Sequence, residues 1–167
     1  MNAPARTRTI APAWPLYLAA FAIAAVVAGA VGEAFSGGSL AELGIPDPGA
    51  ATTVGLPALR GVAWLLMALA TGSFLLSAFL IAPKQTQEDL NGARLTVDGH
   101  LASRTGAHAS AGIALIGLVM IPLVLSDVSG QPLNTVLFEA AAWSQALDQV
   151  ADARVWLIVA AFAAVVA

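Results

Sequence analysis

Long stretches without formal charge alternate along the chain with short polar connectors. Arg8 and Glu33 enclose 24 uncharged residues, Arg60 and Lys84 enclose 23, and Arg104 and Asp127 enclose 22. About 20 predominantly apolar residues cross a ~30 Å hydrocarbon core as a helix. The pattern predicts three transmembrane helices, over 14–35, 57–82 and 107–126. The runs are continuous and lack strict alternation, which favours helices over barrel strands. A fourth run, VWLIVAAFAAVVA, follows Arg154 and has 13 residues, or about 20 Å of helix. A helix ending there would leave carbonyls unpaired in hydrocarbon. Residues 154–167 are therefore expected to be a truncated fourth span, and 1–167 an N-terminal fragment of a longer polytopic domain. The first run is longer than a signal-peptide core, so it is expected to remain as a span.

Composition points the same way. Hydrophobic residues make up 59% of 167 residues and charged residues 10%, and the mean hydropathy is +0.83. Soluble domains carry about 25% charged residues, and a chain this short cannot hide so much apolar surface from water. The expected fold class is an all-α integral membrane protein, a helical bundle in the lipid bilayer. The net charge of -3 offers no basic footprint for nucleic acid. Cysteine is absent, which excludes disulfides, Cys-ligated zinc and iron–sulfur clusters.

Lysine and arginine set the expected orientation. Arg6 and Arg8 precede the first span, and Lys84, Arg94 and Arg104 follow the second. Segments 36–56 and 127–153 have no Lys or Arg but hold Glu42, Asp47, Glu139, Asp148 and Asp152. By the positive-inside rule the N-terminus and the 83–106 loop are cytoplasmic, as in a multi-pass protein of a bacterial inner membrane. Trp14 and Tyr17 at the inner end of the first span, and Trp64 and Trp156 near the outer ends of the second and fourth, fit interfacial belts.

The connectors carry local signals. Ser39 and Glu42 suit a capping box on a short SLAEL helix, with a PDPG turn after it. The inner loop reads as solvated, with turn signals at Asn91-Gly92 and Asp98-Gly99. In 134–150, Val136, Ala140, Trp143, Leu147 and Val150 share one helical face. Asn134, Gln145, Asp148, Gln149 and Asp152 share the other, which predicts an outer amphipathic helix.

Glu33 and Arg60 are 27 residues apart, as are Asp127 and Arg154, with an offset of 94 between the pairs. SGGSL follows the first acid and SGQPL the second. This suggests two parallel hairpin repeats. Each charge has the sign that its helix end disfavours. The expected remedy is pairing across each hairpin, Glu33 with Arg60 and Asp127 with Arg154. Such pairs could line an outer cavity or simply fix hairpin register; charges at span ends reach water, which favours the second. Ala25, Gly29 and Glu33 share a face on which close helix approach is expected.

Candidate chemistry is sparse. His100 is expected in the inner loop and His108 at the inner start of the third span, which suits neither haem nor zinc. Met67 and Met120 are soft side chains that could hold Cu(I), although isolated methionines in apolar spans ordinarily serve as packing. Pro122 is expected to kink the third span. There is no P-loop, dinucleotide fingerprint, catalytic triad or intramembrane carboxylate pair, so no enzymatic step is expected.

The runs APAWPLYLAAFA and LPALRGVAWLLMALATGSFLLSAFL, and the third span ending PLVLSDVSGQPL, resemble the N-terminal half of a bacterial family. In that family a copper resistance D-type membrane domain is fused to a cytochrome c oxidase (caa3-type) assembly factor. The resemblance covers nearly the whole chain and rests on overall pattern, above all the Asp-Val-Ser-Gly-Gln-Pro string. It implies copper uptake or copper delivery for oxidase assembly, with copper handled and oxidase subunits as partners. The chain departs from that expectation in having no Cys, no Met-rich outer motif and no outward His. Two alternatives stay open: a scaffold for oxidase assembly that binds no metal, and a transporter of another solute.

Overall fold

A computed structural model describes residues 14–36, 47–81, 87–90 and 93–167. Helix α1 spans Trp14–Ser36, and α2 spans Ala50–Leu75, continued by a π-helical turn, Leu76–Leu80. Strands β1 (Gln87–Leu90) and β2 (Ala93–Thr96) form an antiparallel ribbon in which Gln87 faces Thr96. Helix α3 spans Val97–Ser129, followed by α4 (Leu133–Phe138), α5 (Ala140–Gln149) and α6 (Ala151–Val166). The segments Trp14–Phe35, Ala50–Leu80 and Asp98–Ser129 are long and apolar enough to cross a membrane. The chain is a multi-pass membrane protein. The expected SLAEL helix, the Asn91-Gly92 turn and Arg6 and Arg8 lie outside the described residues.

The second span starts earlier than Pro57. Asp47 Oδ1 accepts a 2.8 Å bond from the Gly49 N–H, and Gly49 has φ 89°. That turn launches the helix at Ala50. The helix then runs through Pro57, whose ring cannot donate to the carbonyl four residues back. Gly32 of α1 accommodates the proline: a Cβ there would fall 2.3 Å from Pro57 Cγ and 3.1 Å from the Thr53 carbonyl oxygen. Nearby, Gly29 meets Val54 and Ala58, and Gly61 meets Ala28. Small residues thus let the backbones of α1 and α2 approach closely, as expected at Gly29.

The third helix also starts earlier, so Asp98-Gly99 forms its first turn rather than a separate one. The helix is continuous through Pro122. It is the central element, with α2 and α6 both packed against it. Thr52 against Ser126, Leu66 against Gly112 and Phe74 against Gly106 fix the antiparallel register of α2 and α3. At the far end, Ser77 Oγ donates to the Gly99 carbonyl at 2.8 Å. Gly117 against Ala160 and the Trp156 carbonyl fixes the register of α3 and α6.

Met120, Ile121 and Val124 of α3 form one core with Ala63 of α2 and Ala153 and Trp156 of α6. Ala70, Ala109 and Ile113 form a second core toward the other end. Most remaining large apolar side chains are exposed, among them Leu16, Ile23, Val26 and Phe35 on α1 and Phe162 and Val165 on α6. In water that would be a liability; in a bilayer it is the lipid-facing surface.

The expected outer amphipathic helix is two short helices. Glu139 leaves the helical region, at φ -97° and ψ 92°, and divides α4 from α5. Val136 is buried against Leu125, while Phe138 is exposed. Breaking the helix lets Val136 and Trp143 reach the core separately, since Trp143 and Val150 pack against the Met120 cluster. The 94-residue offset maps Gly61, which meets α1, onto Val155, which is exposed; on α6, Ala153, Trp156 and Ala160 pack against α3 instead.

Candidate functional site

The expected partners Glu33 and Arg60 do not form an ion pair. The contacts of Gly29, Gly32 and Gly61 set the register of α1 and α2, and they place Glu33 beside Thr53. Thr53 Oγ1 donates to Glu33 Oε2 at 3.5 Å. Arg60 lies seven residues deeper than that level, or about 10 Å. It also falls on the stripe with Trp64 and Met67, away from the Pro57, Ala58 and Gly61 stripe that meets α1. Asp127 and Arg154 do not form an ion pair either. The Gly117–Ala160 contact puts Asp127 about level with residue 150, just ahead of α6 and about four residues from Arg154, and both side chains are exposed.

Arg60 instead pairs with Asp152, at 2.8 Å from Nη2 to Oδ2. Arg60 is the eleventh residue of α2, about 15 Å from its first residue, so it is not a helix-start charge. Asp152 lies in the first turn of α6, where a carboxylate suits the helix dipole. Arg60 is rooted deeper than Asp152 and extends outward to it, as long basic side chains do near a membrane boundary. The side chains remain 41% and 48% exposed.

The pair caps one end of a groove between α2 and α6. Its volume is about 530 Å³, and its wall is Arg60, Ala63, Trp64, Met67, Asp152, Val155, Trp156 and Val159. Apart from the pair, the wall is apolar. Trp64 is exposed on its rim, about 21 Å into α2, so it does not belong to an end belt. Trp156 is 8% exposed and packed in the core, so it is no belt residue either. Trp14 and Tyr17 are exposed at the start of α1.

The methionines do not meet. Met120 is fully buried, and Met67 packs partly against the same cluster while lining the groove. The α2–α3 register sets them about nine residues apart along the bundle, roughly 13 Å. Their packing is with hydrocarbon side chains. The register therefore does not support a two-thioether copper site at Met67 and Met120.

A second polar feature closes the same end of the bundle. Ser126, fully buried, donates to the Gln131 carbonyl at 2.6 Å. Its hydroxyl has one hydrogen, so the 2.7 Å contact with Thr52 has Thr52 Oγ1 as donor. Gly130, at φ 63°, ends α3 in the left-handed conformation. The Asp-Val-Ser-Gly-Gln-Pro string is thus a built turn, tied to α2 through Ser126. At the other end His108, twelfth residue of α3 and exposed, places Nδ1 2.6 Å from the Arg104 carbonyl; that bond requires the proton on Nδ1. His100 lies in the first turn of α3 rather than in a loop.

Sequence reasoning gave Arg60 but assigned Asp152 to a solvated helix face. The break at Val150, which starts α6 just ahead of Asp152, is a backbone feature that no glycine or proline in the sequence marks. No family model, curated protein or solved structure matches the chain.

Proposed function

We propose that this chain is the membrane module of a copper-handling protein of the copper resistance D type, serving copper uptake or copper delivery to an assembling cytochrome c oxidase. It acts by holding or passing a solute and makes no covalent bond. Its setting in this reading is a bacterial inner membrane, with the N-terminus cytoplasmic and α6 entering as a fourth span. The observation that carries a solute-handling role is the Arg60–Asp152 pair at the end of an apolar groove. Charged groups at such depth are costly, and their usual justification is function. The resemblance of the chain supplies copper as the solute.

The test is cellular copper content, measured by mass spectrometry in cells with and without the protein. Wild type, Arg60→Gln, Asp152→Asn and the double Met67→Leu, Met120→Leu variant are compared at equal abundance. Expression should change copper content, the charge variants should reduce the change, and the methionine variant should not. Copper content indifferent to wild-type expression would reject copper. Co-purification of oxidase subunits under that outcome would favour the metal-free scaffold, and a change in another ion would favour a different solute.

A further inference from the structure

The groove runs from polar to apolar. Arg60 and Asp152 hold one end, and Ala63, Met67, Val155 and Val159 form the wall beyond them. From Asp152 to Val159 is about 10 Å of helix. The polar end lies toward Glu33 and the Ser126 turn, at the bundle end where α6 begins. The apolar end points toward the middle of the spans. A membrane lipid has this same orientation. The volume of about 530 Å³ is in the range of specific small-molecule sites, about 300–1,000 Å³. An apolar groove left unfilled in hydrocarbon forfeits dispersion contacts along its whole wall.

We propose that the groove holds one phospholipid with a phosphoethanolamine headgroup. Its phosphate sits on Arg60, its ammonium on Asp152, and one acyl chain follows the apolar wall between Trp64 and Trp156. The charges at the mouth choose the headgroup. The ion pair engages one guanidinium nitrogen and one carboxylate oxygen. A guanidinium has five N–H donors and a carboxylate about four acceptor sites. Both groups are half-exposed, so each can take a second partner while the pair stays formed. An anionic glycerol headgroup would satisfy Arg60 but bring its phosphate beside Asp152 without a compensating cation. A choline headgroup carries a cation with no N–H to donate. Phosphoethanolamine provides an anion for Arg60 and an N–H donor for Asp152. This proposal concerns what fills the groove and does not depend on copper.

The full chain is placed in phosphatidylcholine nanodiscs, with Trp14→Phe and Trp143→Phe, so that Trp64 and Trp156 report. Acyl-chain spin-labelled phosphatidylethanolamine, phosphatidylcholine and phosphatidylglycerol are titrated in separately. The ethanolamine lipid should quench along a saturating curve, with half-saturation about threefold or more below the other two, the size expected from roughly 0.7 kcal/mol of headgroup discrimination. Asp152→Asn should remove the advantage over phosphatidylglycerol. Val155→Phe, which fills the groove from an exposed position, should remove the saturable component while unfolding at the same temperature. Equal, non-saturating quenching by all three lipids would overturn the proposal. So would protection from all three together with a cross-linked dimer through Val155→Cys, since a second copy would then cover the groove. No copper is present, so this result and the copper reading stand or fall separately.

Discussion

Replacing Arg60 with glutamine tests the register of the whole bundle, because two different acids were candidates for its partner. The structure pairs it with Asp152 at 2.8 Å and leaves Glu33 beside Thr53, about seven residues away along the helix axis. The magnitude follows from exposure. Fully exposed pairs are worth about 0–1 kcal/mol, and cutting one partner out of a buried pair costs about 3–5 kcal/mol. With side chains 41% and 48% exposed, the coupling belongs near the top of the exposed range, about 1 kcal/mol. Two double-mutant cycles on the full chain in detergent separate the alternatives: Arg60→Gln with Asp152→Asn, and Arg60→Gln with Glu33→Gln. Unfolding is followed by circular dichroism as denaturing detergent is added. The first cycle should show coupling of about 1 kcal/mol, and the second should be additive within about 0.5 kcal/mol. Coupling confined to the Glu33 cycle would refute the helix register and the groove built on it.

Gly32→Ala should destabilise the protein by about 1–3 kcal/mol, because its Cβ would fall 2.3 Å from Pro57 Cγ; thermal unfolding should show much of the loss recovered when Pro57→Ala is added. Ser126→Ala should cost about 1–3 kcal/mol, since it strips the Gln131 carbonyl and the Thr52 hydroxyl of their buried partner; the same melting assay reads it. Met120→Leu, at a fully buried core position, should cost less than about 1.5 kcal/mol and leave copper content unchanged. Cysteines introduced at Ser39 and Leu101 should differ toward an impermeant maleimide in intact cells, with labelling at 39 alone; labelling at 101 alone would invert the proposed orientation.

Charge spacing located the three apolar spans because formal charge is what hydrocarbon excludes most strongly. It misjudged where the helices start, for a reason visible at Ala50 and Val97. Thr52, Thr53, Asp98, His100 and Arg104 are helical residues outside the apolar run, and a helix does not stop where hydrophobicity does. The second span was expected to begin at Pro57. The interior place of that proline depends on Gly32, 25 residues earlier, a relation that periodicity does not encode.

The site was less legible than the fold, because pairing between helices depends on axial register, and register depends on small residues packed far from the charges. Equal spacings of 27 residues made Glu33–Arg60 and Asp127–Arg154 look like matched pairs. Yet the small-residue contacts set Arg60 about seven residues and Arg154 about four residues past the level of their acids, so equal spacing did not produce contact. Arg60 then turned from its own hairpin toward α6. A charge that cannot meet its nearest partner in sequence must find another or reach water, and at the depth of Arg60 the carboxylate at the start of α6 serves. That choice places a cation and an anion together at the head of an apolar groove. It also explains why Asp152, which shares no pattern with Arg60 in the sequence, belongs to the same site.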